Sequence, residues 1–595
     1  MEVANKVLED ARKTIEVLQQ DRQALWSSLR ASVSQRFDYW CQLSLPLVTK
    51  PVAAYLDRQL WTMLEASLGF EVPRKGKLLG RDDCVLNVPV SERENLPFAE
   101  WAVRQPVRLH GMGFRSQEDN CDPAFVGALL QAAPFMAKIP ALQVIMGGEE
   151  NWGEEGDPAH QLAPFLASGS RQAVELRGSW QRMQQEADEA ARFLGEVVEG
   201  PLAGVLEGAR QAAEGPLRQA IVEKREQTRG KLLLQALDRH PDRSARPVWS
   251  WPERDKQSSA WLLCLPTADF TFSNQEFSTA AAALLCLPPP CTAPRVGENI
   301  GRGVTVCRWG DNLVNATMRG DGWRVRHDEM KLLIRDLHVR AGVPIVCEVF
   351  NLFADCIPQP ELNRIERGRR RQALVPDFKV RGDGGEGDVL CELKFINACN
   401  TWYPRNPRPR NVMRGVKRRA DRLTGEYGKK AQQVDQLHCG VPPPPPARAG
   451  VPRPPRQVGP VENRLNSFGH VRGWVFGAWG ECSEEVHALV QKLAEAKVNK
   501  AATEPGHRRI FRSREAQLAS EVSYLRRRLS FTAVQQQSRL LLDRLQLLGE
   551  GSREAARRRD WAAMTRRAEE KERRAQLVCL QQGRAIRRSG FGMLD

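Results

Sequence analysis

The 595-residue chain has no apolar run near the roughly 18 residues that span a bilayer, so no membrane helix is expected. Its opening stretch, MEVANKVLEDARKTIEVLQQDRQ, lacks the apolar core of a secretory leader, so secretion is not expected. The 14 cysteines form no disulfide-type framework. They are scattered through apolar contexts, as at Cys264, Cys347 and Cys391, which fits reduced thiols inside a cell. Tyrosine is scarce: Tyr39, Tyr55, Tyr403, Tyr427 and Tyr524 are all there are. None is followed at the right spacing by two aspartates, which excludes the Tyr-x-Asp-Asp turn of a template-copying polymerase. The one adjacent pair considered, Asp82-Asp83 in LLGRDDCVLN, lacks a flanking apolar hairpin and reads as a loop.

What is abundant is positive charge. The formal net charge is +16, with 42% hydrophobic and 27% charged residues. Those fractions are ordinary for a soluble globular protein. The surplus suggests a polyanionic partner, nucleic acid first and an acidic membrane surface second. The length exceeds what one hydrophobic core can organise and predicts three or four domains.

Residues 1–245 read as mainly helical, as in NKVLEDARKTIEVLQQ with its helical apolar spacing. Residues 246–300 are mixed and contain the Pro-rich CLPPPCTAP. From 301 the rhythm changes. RHDEMKLLIRDLHVRAG predicts a helix closed by Gly342. PIVCEVFNLF, VPDFKV and VLCELKFI predict strands, RGVKRRADRLTGEYGKKAQQVDQL a helix, and VRGWVFGAWG a further strand. The order is α-β-β-β-α-β, followed by the helix EEVHALVQKLAEAKV. A stiff polyproline insertion lies near 441–460. This central unit spans 301–490, and 491–595 reads as a basic helical region. The fold class expected is therefore multidomain, α plus α/β.

The chemistry concentrates in LVPDFKVRGDGGEGDVLCELKFI, where short apolar strands carry Asp377, Glu392 and Lys394. Glu392 and Lys394 are two apart, so on a strand they share a face, and an adjacent strand can bring Asp377 to it. Paired carboxylates hold a hard cation through oxygen, and a lysine beside them can orient water or stabilise added negative charge. The plainer reading is a surface hairpin with a cross-strand Glu–Lys pair. Against it, Asp377 and Glu392 sit among core-like neighbours that would leave them unsatisfied. Asp383, Glu386 and Asp388 read as a solvated turn.

The pattern PDF…CELK, with the order of elements around it, resembles the PD-(D/E)XK (restriction-like) endonucleases. The resemblance implies a restriction-endonuclease-like core. It gives metal-binding and catalytic roles to Asp377 and Glu392, a catalytic role to Lys394, and a further metal ligand at Glu348. Lys430 and Gln433 are candidates on the following helix. The stretches QPVRLHGMGFRSQEDNCDPAFVGALLQAAPF, SAWLLCLPTADFTFSNQEFSTAAAALLCLPPP and GDNLVNATMRGDGWRVRHDEMKLLIRDLHVRAGVP resemble the region after the polymerase in non-LTR retrotransposon polyproteins. In that comparison residues 1–245 correspond to the reverse-transcriptase thumb and connection, and the polymerase core is missing. The implied activity is hydrolysis of phosphodiester bonds, nicking target DNA with Mg²⁺ or Mn²⁺. The alternative is a non-catalytic nucleic-acid-binding remnant.

Related endonucleases carry zinc ligands before the nuclease core. Cys286, Cys291, Cys307 and His327 lie in that neighbourhood, but their spacing is not clean, and buried cysteines with a polar histidine is the preferred reading. Basic clusters bracket the carboxylates. Arg367, Arg369, Arg370 and Arg371 precede them; Arg414, Lys417, Arg418, Arg419 and Lys430 follow. They suit phosphate contacts on DNA, or on the element's RNA, and Trp402 and Tyr403 could stack on an unpaired base. An intracellular, nuclear location follows from that reading. In the C-terminal region Arg526, Arg527 and Arg528, and later Arg557, Arg558 and Arg559, suit nucleic acid. The stripe Leu518, Val522, Leu525, Leu529 suits a partner or self-association instead.

Overall fold

The computed structural model describes residues 1–72, 98–136, 169–194, 217–238, 254–301, 303–316, 318, 322–367, 374–381, 387–399, 401–403, 415–443, 457–469, 471–503 and 513–549. These are mostly helical, with a small mixed sheet of four strands. In the N-terminal part the helices include α1 (Glu2–Leu18), α2 (Arg22–Ser28), α3 (Asp38–Leu43), α4 (Pro46–Leu68), α5 (Phe98–Arg104), α6 (Gln117–Met136), α7 (Arg171–Leu194) and α8 (Leu217–Asp238). The Asp82-Asp83 stretch lies outside the described residues. Trp26, Leu29, Leu56 and Leu60 are among the buried residues that form this core, and Trp261 and Phe277 join it from later in the chain. Phe277 belongs to α9 (Asn274–Leu284), which opens with a capping box: Ser273 caps the Glu276 N–H and the Glu276 carboxylate returns the bond.

A two-stranded hairpin, β1 (Asn299–Gly301) and β2 (Val304–Thr305), and the short helix α10 (Asp311–Asn315) lead to the sheet region. That region runs α11 (Gly322–Ala341), β3 (Ile345–Cys347), α12 (Gln359–Arg367), β4 (Phe378–Val380), β5 (Val389–Phe395), α13 (Gly415–His438), α14 (Pro460–Asn466), β6 (Arg472–Phe476) and α15 (Glu484–Thr503). The strand order is β3-β4-β5-β6, antiparallel across the first two pairs and parallel at β5–β6. A parallel pair needs a crossover, and α13 lies within it.

Both faces of the sheet are covered. Cys391, Leu393, Trp474 and Phe476 pack with Met330 and Ile334 of α11 and with Val486 and Val490 of α15. On the other face Leu390 packs with Tyr427 and Ala431 of α13, and Val475 with Ala420 and Leu423. Double coverage explains why β5 reads as a continuous apolar run broken only by its charges. Gly473 sets how closely α13 approaches: a Cβ there would meet the Ala420 Cα at 2.8 Å and the Leu423 Cδ1 at 2.8 Å. Gly342 closes α11 in the left-handed region, φ 75°, as its position in the sequence predicts.

The order is not the expected α-β-β-β-α-β, because α12 stands between β3 and β4 and α14 between α13 and β6. Two further elements differ from expectation. The strand in PIVCEVFNLF stops at Cys347, because Glu348 takes a left-handed φ of 54°. Its N–H donates to the Asp377 carbonyl at 2.8 Å and the Val349 N–H to the Pro376 carbonyl at 3.1 Å, so the chain turns over the start of β4. The second is the long helix α16 (Arg514–Gly549). Its Leu525 and Leu529 are buried in the sheet-side core, with Leu518 and Val522 packed against it, while Phe531 and Val534 belong to the N-terminal core. The apolar stripe considered for self-association is thus internal packing. Arg557, Arg558 and Arg559, most of the polyproline insertion, and residues 246–253 lie outside the described residues.

Candidate active site

Register brings the motif together. Phe378 faces Cys391 across the antiparallel β4–β5 pair, which sets Asp377, just before β4, opposite Glu392. Two backbone bonds lock the pair: the Leu393 N–H donates to Asp377 Oδ2 at 3.0 Å, and the Asp377 N–H donates to Glu392 Oε2 at 3.2 Å. Lys394, two residues along the strand, points to the same face and its ammonium pairs with Glu392 Oε1. Glu392 is 4% exposed and its side chain would be costly to bury without these partners.

Three more groups reach the carboxylates from the flanking helices. Tyr427 on α13 donates its hydroxyl to Glu392 Oε2 at 2.8 Å. On α11, His327 Nε2 lies 3.1 Å from Asp377 Oδ2, and its Nδ1 3.2 Å from Asp328 Oδ1. One turn on, the Lys331 ammonium sits between Glu348 Oε1, at 3.0 Å, and Asp377 Oδ1, at 3.4 Å. Side chains four apart lie on one helical face, so His327 and Lys331 address the same carboxylate. Glu348 stands at the rim, about half exposed, in its left-handed conformation. A non-glycine residue there costs on the order of 1–3 kcal/mol and is a feature of functional sites.

The electrostatics divide the two buried carboxyls. Burial raises the Glu392 carboxyl, and the Asp377 charge raises it further; Lys394 and Tyr427 oppose this without cancelling it. Burial also acts to raise Asp377, but His327, Lys394 and Lys331 outweigh it and bring it down to about 2. His327 is raised to about 9: burial lowers it, but the bonds to Asp328 and Asp377 prevail. Carboxyls pushed apart by their surroundings are characteristic of acid–base and metal sites.

Asp377, Glu392, Lys394 and Glu348 are therefore brought into one polar cluster. His327, Lys331 and Tyr427 are members that the motif does not name. His327 stood among the zinc candidates; here it faces Asp377. Cys286 accepts from Arg254 Nη2 at 3.3 Å, Cys291 lies 3.6 Å from the Thr279 hydroxyl, and Cys307 accepts the Asn312 N–H at 3.5 Å. Among the described residues, one group of three His, Cys, Asp or Glu side chains brings its ligand atoms within 4.8 Å of one another, and it is Asp255, Cys482 and His487. Asp388 pairs with Lys379 at 3.1 Å, while Asp383 and Glu386 lie outside the described residues.

The basic brackets are described in part. Arg369, Arg370, Arg371 and Arg414 lie outside the described residues, as does the Arg367 side chain. Lys417 is exposed; Arg418 bonds the Trp402 carbonyl; Arg419 pairs with Glu426 at 2.9 Å. The Arg419 and Arg422 guanidinium groups lie 5.7 and 5.2 Å from the Trp402 ring centroid. Lys430 is half-buried, three residues past Tyr427, and Gln433 is exposed. Tyr403 is unsuited to stacking on a base: it is 1% exposed and bonds Glu481. Among the described residues no helix is long and apolar enough to cross a membrane. No protein-family model matches the chain, and no curated protein matches it either.

Proposed function

We propose that this chain is a metal-dependent endonuclease of the PD-(D/E)XK class that nicks DNA. The observation that carries the reading is the mutual backbone locking of Asp377 and Glu392 on adjacent strands, with Lys394 clasped to Glu392. The donor set fits Mg²⁺ or Mn²⁺: carboxylate oxygens from Asp377, Glu392 and Glu348 are hard ligands. The Lys331 ammonium between Glu348 and Asp377 marks a spot where positive charge is already stabilised. Asp377 and Glu392 would hold the ion with Glu348 as an outer ligand, and when bound the ion would lower the pKa of a water and offset phosphate charge.

The chain's own groups have separable roles. Lys394 orients the attacking water and stabilises the negative charge that grows on the phosphate. Tyr427 fixes the Glu392 carboxylate by its hydroxyl. Lys331 and His327 balance the carboxylates and must yield when a cation enters. Lys417 and the Arg419–Trp402–Arg422 stack would hold the DNA backbone, with the three α13 residues about 7 to 15 Å along the helix from Tyr427 at 1.5 Å per residue. A restriction-endonuclease-like core, an origin in a non-LTR retroelement and a nuclear location belong to the same proposal; the order of helices and strands and the sequence resemblances support it.

One observation favours the alternative, a nucleic-acid-binding remnant that does not cut: each carboxylate of the cluster already has an internal cation. Nicking of supercoiled plasmid separates the two. The nuclease reading predicts cutting with Mg²⁺ or Mn²⁺ that Lys394→Ala abolishes while a gel shift on the same DNA persists. A gel shift without cutting under either metal would favour the remnant.

A further inference from the structure

We propose a zinc site formed by Asp255, Cys482 and His487, separate from the carboxylate cluster and independent of whether that cluster cuts DNA. The three residues come from two distant segments. Asp255 lies in the short stretch before α9, while Cys482 and His487 flank the start of α15. Asp255 Oδ2 is 3.1 Å from His487 Nε2, and Cys482 Sγ is 3.6 Å from the same nitrogen. All three ligand atoms lie within 4.8 Å of one another.

Those spacings are within about 0.3 Å of what zinc requires. Zn–S bonds are about 2.3 Å and Zn–N and Zn–O bonds about 2.0–2.2 Å. Around a tetrahedral centre such bonds place sulfur and nitrogen roughly 3.6 Å apart, and nitrogen and oxygen roughly 3.4 Å apart. The donor set also selects the metal: thiolate and imidazole suit zinc, whereas Mg²⁺ prefers oxygen throughout. The site cannot therefore be a second copy of the one proposed at Asp377.

The surroundings resemble a built ligand shell. Asp255 is held by the Gln257 and Ser258 N–H groups, each 2.9 Å from Oδ1, and by the Cys482 N–H, 3.1 Å from Oδ2. Such supporting bonds orient a ligand. Asp255 and Cys482 are buried, and the His487 side chain keeps 23% exposure, which leaves a route for a water as fourth ligand. The simpler alternative is a His–Asp hydrogen bond with the cysteine as bystander. It leaves without a role the buried thiol beside the same ring, 3.6 Å from Nε2 and 3.9 Å from Nδ1.

The position gives the metal a structural task. Cys482 bridges Phe476 at the end of β6, the strand whose Gly473 pairs with Glu392. The Asp255 segment is also tied to α16, through Gln257 to the Arg526 carbonyl at 3.0 Å and through the Trp261 N–H to Ser530 at 3.1 Å. Zinc would fasten the start of α15 and the end of β6 to this segment.

The test is metal analysis of the full chain, stripped with a chelator and titrated with Zn²⁺. Wild type should take up one zinc per chain and melt at a higher temperature with zinc than without. Cys482→Ser and His487→Gln should each weaken uptake by at least about tenfold, and Asp377→Asn should leave it unchanged. Co²⁺ in place of zinc should give a thiolate charge-transfer absorption in wild type, which keeps the test valid if a variant fails to fold. No zinc uptake, uptake unaltered in both variants, or a cobalt form without a thiolate band would overturn the proposal.

Discussion

Tyr427 and His327 each hold one of the two buried carboxylates, and their removal should be felt differently. Tyr427→Phe deletes one hydrogen bond to a nearly fully buried Glu392. Bonds to charged groups contribute about 1.5–3 kcal/mol, so urea titration should report a loss in that range. His327 acts through pH. Its pKa in the fold, about 9, exceeds the ordinary 6.5, so its ion pairs stabilise fully below about 6.5. That contribution fades as pH rises through about 9. Unfolding free energy should therefore fall across that window, on the order of 3 kcal/mol, and His327→Asn should flatten the slope. A wild-type profile without this fall would refute the ion pair. Four of these residues were legible from the sequence: Asp377, Glu392 and Lys394 by strand parity within one motif, and Glu348 as the upstream acidic residue that the family resemblance implies. Lys331, His327 and Tyr427 were not, because they lie 46, 50 and 35 residues from their partners, and helix packing alone brings them in. The i, i+4 spacing of His327 and Lys331 in RHDEMK was the available signal.

Helix α13 owes its position to glycine in one place and tolerates it needlessly in another. A side chain at Gly473 would collide with Ala420 and Leu423, so Gly473→Val should lift the helix, withdraw Tyr427 from Glu392 and destabilise by about 2 kcal/mol or more. Gly425, in the same helix, has open space where a Cβ would stand. Gly425→Ala should stabilise by about 0.5–1 kcal/mol, since alanine loses less backbone entropy in a helix. Thermal melting of both variants checks the pair; equal effects would contradict the packing described. The elements themselves were readable where period and terminators agreed, as in α11 with its Gly342 cap and β5 with its apolar run. The early end of β3 was not readable, because the left-handed turn at Glu348 depends on bonds to Pro376 and Asp377.

For the whole molecule, α16 is the shared member. Leu529 is fully buried against the sheet region and Phe531 is 1% exposed against the N-terminal helices. Leu529→Ala and Phe531→Ala should each cost about 2–5 kcal/mol. Tryptophan fluorescence of both regions should shift together if one helix supports both cores. The sequence placed Leu525 and Leu529 on one face but could not say whether that face met another chain or this one. The proposed polyanion binding rests on the +16 charge, whereas the proposed cutting rests on the small cluster around Asp377. The decisive measurement is therefore nicking of supercoiled plasmid by purified full-length protein with Mg²⁺, beside Asp377→Asn and Lys394→Ala. Wild type should cut, neither variant should, and all three should bind DNA; equal cutting by wild type and Lys394→Ala would contradict the nuclease assignment.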